Sequence, residues 1–387
     1  MTLKRNSKLF LVLFLGTLSA FGPFVTDLYL PALPTMSSYF NSSTSTIQLT
    51  LTGSMVGLAL GQLLIGPISD KYGRKNPLII SLIVYLISTI AIILFPNVYA
   101  MIVLRFIQGV SSAGAVVISR AISTDLYRGR ELAAFFALLM AVNGLAPILS
   151  PILGSVLLEL TDWRGIFITL ALIGVILLAV SFKFNESLAI EKRLDLPITK
   201  TYYSIVHVMK NRLFFALVIV QGFALAAMFA YIAASPFILQ THYSLSPLMY
   251  SLCFGLNGFA IVLGSKSAGN FKEKVSIKLG LSLMLLVSIY LAVALTLTLP
   301  FLFIEVGFFL LLLGLGFILP AGSAIAMSLE RERAGSASAF FGFVPFFLGG
   351  VVSPLVGIGN IFHSSAIAIV VCSAISFVTF KLVEKKI

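Results

Sequence analysis

Gly66-Pro-Ile-Ser-Asp70-Lys71-Tyr-Gly73-Arg74-Lys75, near the end of the second long hydrophobic stretch, packs charge between two apolar segments. Each flanking segment is long enough to cross a bilayer. Part of the pattern returns 203 residues later, as Gly269-Asn-Phe-Lys-Glu273-Lys274. The same offset carries Arg128 and Arg130 onto Arg331 and Arg333, and Leu149-Ser150-Pro151-Ile-Leu-Gly154 onto Val352-Ser353-Pro354-Leu-Val-Gly357. Matches at one offset, spread over about 90 residues, predict two parallel halves, the layout of many transporters.

Composition agrees with a membrane setting. Hydrophobic residues make up 59% of the chain, charged residues only 10%, and the mean hydropathy is +1.07. Soluble domains carry about 25% charge. Backbone groups in lipid must bond within their own segment, so continuous apolar runs have to be helices, whereas a β-barrel would need alternating strands. The expected fold class is an all-α membrane protein with twelve transmembrane helices in two pseudo-symmetric six-helix halves. The spans read as roughly 9–30, 46–69, 76–95, 98–121, 132–158, 165–184, 213–239, 247–268, 278–299, 301–328, 335–358 and 362–383. Residues 1–184 would form one half, 185–212 a cytoplasmic linker and 213–387 the other half.

A net charge of +12 raises the question of nucleic acid. Its placement answers against it. Lys71, Arg74, Lys75, Arg128, Arg130, Lys272, Lys274, Arg331 and Arg333 all fall in alternate turns, and the middle loop and both termini are basic. The intervening turns are nearly free of Lys and Arg, Arg164 being the exception. By the positive-inside rule both termini are cytoplasmic. The first span is too long for a signal-peptide core and lacks a small-residue cleavage site, so it reads as an uncleaved helix.

Cys253 and Cys372 each lie inside a span, and no Cys/His set has metal-ligand spacing. No phosphate-binding glycine motif or nucleophile–base pair is visible. The sequence therefore points away from an enzyme, with no metal, no cofactor and no catalytic residues expected. In the linker, Tyr202, Tyr203, Ile205, Val206 and Met209 suggest a surface amphipathic helix, with a solvated connector as the plainer reading. Gly53, Gly57 and Gly61 form a small-residue row for close helix approach.

Charges inside spans are costly, roughly 2.5–3.5 kcal/mol at the bilayer centre on insertion scales, and mark function by default. Asp27 lies in Phe24-Val-Thr26-Asp27-Leu-Tyr29-Leu-Pro31, and Arg105 in Leu104-Arg105-Phe-Ile-Gln108-Gly109. Neither is duplicated at the 203 offset, where Ala230 and Phe308 stand instead. Proton coupling or substrate binding at Asp27 stands beside a headgroup-level position; for Arg105 the rival is a structural salt bridge. Glu305 is a third intramembrane carboxylate, with an interfacial position as its rival. Tyr29, Asn143, Pro147, Pro151, Gln221, Tyr231, Asn257 and Glu305 are the candidate lining of a mostly apolar substrate cavity. Paired prolines suggest helices bent around it. A cytoplasmic latch is expected from Gly66, Asp70, Lys71, Gly73, Arg74 and Asp125. In it Asp70 and Asp125 would hold Arg74 and release as the halves rock apart.

These motifs resemble the major facilitator superfamily. Gly66-x-x-x-Asp70-Lys71-x-Gly73-Arg74-Lys75 is similar to its signature between spans two and three, with Lys71 for the commoner Arg. Leu104 to Gly109 is similar to its fourth-span proton-coupling motif, and Gly144-Leu-Ala-Pro147-Ile-Leu-Ser-Pro151-Ile-Leu-Gly154 to its fifth-span antiporter motif, with Ala146-Pro147 for the usual Gly-Pro. Thr26-Asp27-Leu-Tyr29-Leu-Pro31-Ala-Leu-Pro34, Phe229-Ala-Tyr231-Ile-Ala-Ala-Ser235-Pro236-Phe237, Phe254-Gly255-Leu-Asn257 and Ala334-Gly335-Ser-Ala-Ser338-Ala339 resemble the Bcr/CflA drug-resistance subfamily of proton antiporters. Pro345 departs from it, standing where a polar residue such as Gln is expected.

That resemblance implies a bacterial inner-membrane, proton-coupled exporter working by alternating access. Asp27 would respond to protons, with Arg105 and Gln108 organising it. Its partners would be protons, a small amphiphilic substrate and the lipid bilayer, with no nucleic acid, and it would function as a monomer. The alternatives are a transporter of a metabolite (sugar, nucleoside or siderophore) and a non-transporting sensor on the same fold.

Overall fold

The computed structural model describes residues 7–193, 198–330 and 333–386; Arg331 of the sequence repeat and residues 194–197 of the expected linker lie outside the described residues. Among the described residues fourteen α-helices follow one another: α1 Lys8–Asp27, α2 Leu33–Tyr39, α3 Thr44–Tyr72, α4 Lys75–Leu94, α5 Val98–Leu126, α6 Gly129–Leu160, α7 Trp163–Lys183, α8 Ile198–Met209, α9 Arg212–Pro236, α10 Pro247–Ala268, α11 Glu273–Thr296, α12 Phe301–Leu329, α13 Ala334–Leu355 and α14 Ile361–Val383. All but α8 fall in the twelve segments of the described residues that are long and apolar enough to cross a membrane, α1 and α2 sharing the first, Lys8–Tyr39. The described residues contain no strand.

Helix boundaries follow local chemistry. Asn97 starts α5 by accepting the Tyr99 and Ala100 N–H groups, both at 3.0 Å. Asp162, Asn211, Ser246 and Asn360 cap α7, α9, α10 and α14 in the same way. Each such side-chain acceptor satisfies an N–H that has no partner within its helix. Pro31 and Pro34 lack N–H groups, and the chain passes from α1 through a tight turn at Leu30–Ala32 into α2, with Pro34 in the first turn. The first α-helix thus stops at Asp27, while the segment long and apolar enough to cross a membrane runs on through the turn and α2 to Tyr39, past the expected end at residue 30. Conversely α11 starts at Glu273 rather than 278, because charged residues continue a helix beyond the hydrocarbon-length core. Beyond α9, the chain continues as a π-helical turn, Phe237–His242.

The helices gather into two compact units, Met1–Leu30 with Gly53–Tyr202 and Pro31–Thr52 with Tyr203–Ile387. In the first, α1 packs on α5 and α6, and α4 on α5 and α7. The glycine row works as expected: a Cβ on Gly57 would lie 2.2 Å from the Phe106 carbonyl oxygen, so only glycine permits this approach of α3 to α5. In the second unit α12 packs on α9, α10 and α11, while α13 and α14 pack on α9. Residues 31–52 come early in the chain yet are fastened within this unit. Gln48 Nε2 donates to the Ala233 carbonyl at 2.8 Å, and Thr52 Oγ1 to that of Gly350 at 2.9 Å.

Candidate functional site

Arg105 is wholly buried on α5, in the middle of the first unit. Its Nη1 donates to the Val25 carbonyl at 3.0 Å and to Gln108 Oε1 at 2.5 Å. Gln108 sits one turn on, and its Nε2 donates to Thr89 Oγ1 at 2.7 Å. Thr89 in turn donates to the Tyr85 carbonyl at 2.7 Å. The guanidinium carbon lies 4.2 Å from the centre of the Tyr29 ring and 5.7 Å from that of Phe167. A desolvated cation–π contact is worth about 2 kcal/mol, enough to offset much of the insertion cost of the charge. Nε and Nη2 have no hydrogen-bond partner among the described residues.

Asp27 is buried at the last position of α1, flanked by Val25 and Tyr29. Among the described residues it forms no ion pair with Arg105. The guanidinium instead meets the Val25 carbonyl, within the last turn of α1, and the ring of Tyr29, in the turn that follows the helix. Arg105 therefore holds the end of α1 by its backbone and its aromatic ring and leaves the carboxylate unclamped. Thr26 binds its own helix, donating to the Gly22 carbonyl at 3.2 Å. Asn143 on α6 donates to Ser19 Oγ on α1 at 2.6 Å, and Pro147 and Pro151 lie further along the same helix.

The second unit brings together Tyr231, Asn257 and Glu305. Asn257 Nδ2 donates to the Tyr231 hydroxyl at 3.0 Å and to Glu305 Oε1 at 2.9 Å. Gln221 is buried on α9 as well, but ten residues before Tyr231, about 15 Å along the helix, and its amide oxygen approaches Gly322 instead.

A third cluster stands at the α3–α4 turn. Arg74 is buried, and its Nε and Nη2 donate to Asp125 at 2.8 and 3.2 Å. Nη1 donates to Ser69 Oγ at 2.9 Å and to Asp70. Burial pushes the guanidinium down, but the bonds to Asp125 and Asp70 outweigh it and hold Arg74 above the usual arginine range. Gly73 takes φ +88°, and a Cβ there would lie 2.6 Å from the Glu186 carboxylate. Lys71 lies beside the Tyr72 ring, 5.9 Å from its centre, and the Gly66 carbonyl accepts at 2.9 Å from Ser69 Oγ, the hydroxyl that receives Arg74 Nη1.

Sequence reasoning missed two parts of this molecule. Glu186 and Ser187, taken as connector, complete the Arg74 cluster, Ser187 Oγ donating to Asp125 Oδ2 at 2.9 Å. An acidic residue just past the basic end of α7 was the only available signal. Arg120 is a second arginine inside α5, half-buried, with its Nε unpartnered among the described residues. Its place fifteen residues after Arg105 in one continuous helix was legible beforehand.

Twelve segments of the described residues long and apolar enough to cross a membrane, with charged and polar side chains buried among them, define a multi-pass membrane protein. The chain belongs to the Major Facilitator Superfamily, whose family model matches residues 9–354. It is 36% identical over 362 residues to the uncharacterized MFS-type transporter YdgK of Bacillus subtilis, covering 92% of this chain and 90% of that one. It is 28% identical over 273 residues to the bicyclomycin resistance protein homolog of Haemophilus influenzae, covering 70% and 69%. Among solved structures, a bacterial homolog of the human lysosomal transporter Spinster, inward-facing and unoccupied, superposes with a TM-score of 0.74 at 14% identity. That match covers 97% of this chain and 98% of the other. At such identity the likeness is one of fold.

Proposed function

We propose that this protein is a proton-coupled exporter of small amphiphilic molecules, a drug:proton antiporter of the Bcr/CflA type. It works as a monomer by alternating access in the bacterial inner membrane, with both termini cytoplasmic. The observation that carries the reading is the buried Asp27 carboxylate, close in sequence to both points where Arg105 grips α1 yet bound by no ion pair. A carboxylate locked to arginine would stay ionised through the cycle, whereas an unclamped one can take up a proton in exchange for substrate. Arg105 supplies a fixed positive field, and Gln108 and Thr89 hold it in place. The similarity to a bicyclomycin resistance homolog supports a drug-like cargo.

In this reading Tyr29, Asn143, Pro147, Pro151, Gln221, Tyr231, Asn257 and Glu305 serve the substrate path. The Asp70–Arg74–Asp125 cluster latches the cytoplasmic side, with Gly66, Lys71 and Gly73 shaping its turn. The test is proton flux in proteoliposomes across a panel of amphiphilic drugs, native chain against Asp27→Asn. Drug-evoked proton movement that vanishes in the variant is expected. Flux that survives in the variant would move coupling away from Asp27, and no flux with any drug would favour a metabolite transporter or a sensor.

A further inference from the structure

Glu305 is 6% exposed, one turn inside the start of α12. Its Oε1 accepts from Asn257, and its Oε2 has no hydrogen-bond partner among the described residues. Asn257, wholly buried, spends both amide protons on Glu305 and Tyr231, and its own Oδ1 is unpartnered too. Besides Asn257, the only donor that reaches the Glu305 carboxyl among the described residues is the weakly donating thiol of Cys253, and no donor meets Asn257 Oδ1.

The groups around the carboxyl make the deficit sharper. From α9 comes Tyr231, fully enclosed, its ring 4.7 Å from Phe308 and 5.9 Å from Phe254. From α10 come Asn257 and the buried Cys253, one turn apart. On α11 the nearest titratable group is Tyr290, whose hydroxyl is engaged with the Phe303 carbonyl at 3.0 Å. The charged residues of α11, Glu273, Lys274 and Lys278, lie at its opposite end from Tyr290. No Lys, Arg or His forms an ion pair with Glu305 among the described residues. A carboxylate buried among aromatic rings, with one amide and one weak thiol donor and no cation, is a costly state for such a group, and the neutral acid is the cheapest remedy.

We propose that Glu305 is a second proton-binding site, separate from Asp27 and built into the second unit. The proton goes onto Oε2, converting the carboxylate to a neutral carboxylic acid, while Oε1 keeps the Asn257 hydrogen bond. Release of the proton restores one negative charge beside Asn257 and Tyr231. The aromatic enclosure, without a charged partner, suits a proton better than a hydrated ion. Proton binding here stands on the geometry alone, and its use in transport rests on the antiport reading above.

Infrared difference spectroscopy of the full-length protein in liposomes tests this directly, with Asp27→Asn as the background so that the first carboxyl is silent. As pH is stepped upward from neutral, a protonated-carboxyl stretch is expected to disappear, and it is expected to be absent altogether when Glu305→Gln is added. Exchanging sodium for potassium should leave the band unchanged. Should Glu305→Gln fail to fold, Asn257→Ala keeps the carboxyl but removes its donor and must shift the band. Absence of any such band, its suppression by sodium, or a band indifferent to both variants would overturn the proposal. The band reports proton binding whether or not any drug is moved, so its absence in the native Glu305 background would overturn this proposal alone, and loss of drug-evoked flux with the band intact would overturn the antiport reading alone.

Discussion

Glu186 closes the N-terminus of α4 from more than 100 residues away: its Oε1 accepts the backbone N–H of Arg74 at 3.0 Å, and its Oε2 that of Lys75 at 3.1 Å. The same Oε1 accepts the N–H groups of Ser187 and Leu188 at 2.9 and 3.0 Å. One carboxylate therefore ties the segment after α7 to the turn that carries the Arg74 cluster. Four backbone donors and a helix N-terminus thus converge on one side chain.

Removal of that acceptor should be felt as the loss of a helix cap. Glu186→Ala is expected to cost about 1–2 kcal/mol, read as a lower melting temperature of the purified protein in detergent. Glu186→Gln retains one acceptor oxygen and should lose less. Equal melting of both variants and the native chain would contradict the capping role.

Arg74 is expected to tolerate no replacement. Its fork reaches Asp125 and Asp70 at once, and a lysine ammonium cannot reproduce that geometry. Arg74→Ala leaves Asp125 largely buried and unpaired, a change that costs about 3–5 kcal/mol for fully buried pairs and less here because Asp70 is half exposed. Drug efflux from cells, corrected for the amount of protein in the membrane, should fall further in Arg74→Ala than in Arg74→Lys.

At Arg105, Lys would lose the simultaneous bonds to Val25 and Gln108 and weaken the stacking on Tyr29. Arg105→Lys should fold but lose proton-linked flux at least tenfold, about 1.4 kcal/mol. Gln108→Ala keeps the Val25 and Tyr29 contacts and is expected to lose less. A Gln108 effect equal to that of Arg105 would show that the Gln108–Thr89 chain, rather than the cation, carries the function.

Glycine substitutions separate packing from backbone strain. Gly57→Val brings side-chain carbon against the Phe106 carbonyl and should cost about 1–3 kcal/mol or more, seen as low yield in the membrane. Gly73→Ala meets two penalties, a left-handed φ of +88° worth about 1–2 kcal/mol and a clash with Glu186. Adding Glu186→Ala should relieve the clash while leaving the backbone penalty, a non-additive pair that melting temperatures can resolve.

Much of the architecture was readable in advance. Apolar runs of hydrocarbon length located all twelve crossing helices, since lipid leaves helices as the only way to bury that much backbone. Spacing also anticipated the pairing of Arg74 with Asp70, four residues apart, and the glycine row of α3. Less legible was anything built by residues far apart in the chain. Glu186 looks like connector because its partners are backbone N–H groups, which are the same for every residue and leave no compositional trace.

What the sequence by itself determined is the membrane setting, the helix count, the tandem layout and the rarity of charge that singles out Asp27, Arg105 and Glu305. Each follows from local chemistry, apolar length or the cost of an ion in lipid. Only the tertiary structure decided which of those charges find partners. Arg105 binds the Val25 carbonyl and the Tyr29 ring and forms no ion pair with Asp27, because the chain turns away from α1 at Asp27 and brings Tyr29 over the guanidinium. Glu305 meets Asn257 and Tyr231 because three helices, separated by dozens of residues in sequence, cross at one buried point. Partnership between side chains is a property of that packing, and no periodicity along the chain encodes it.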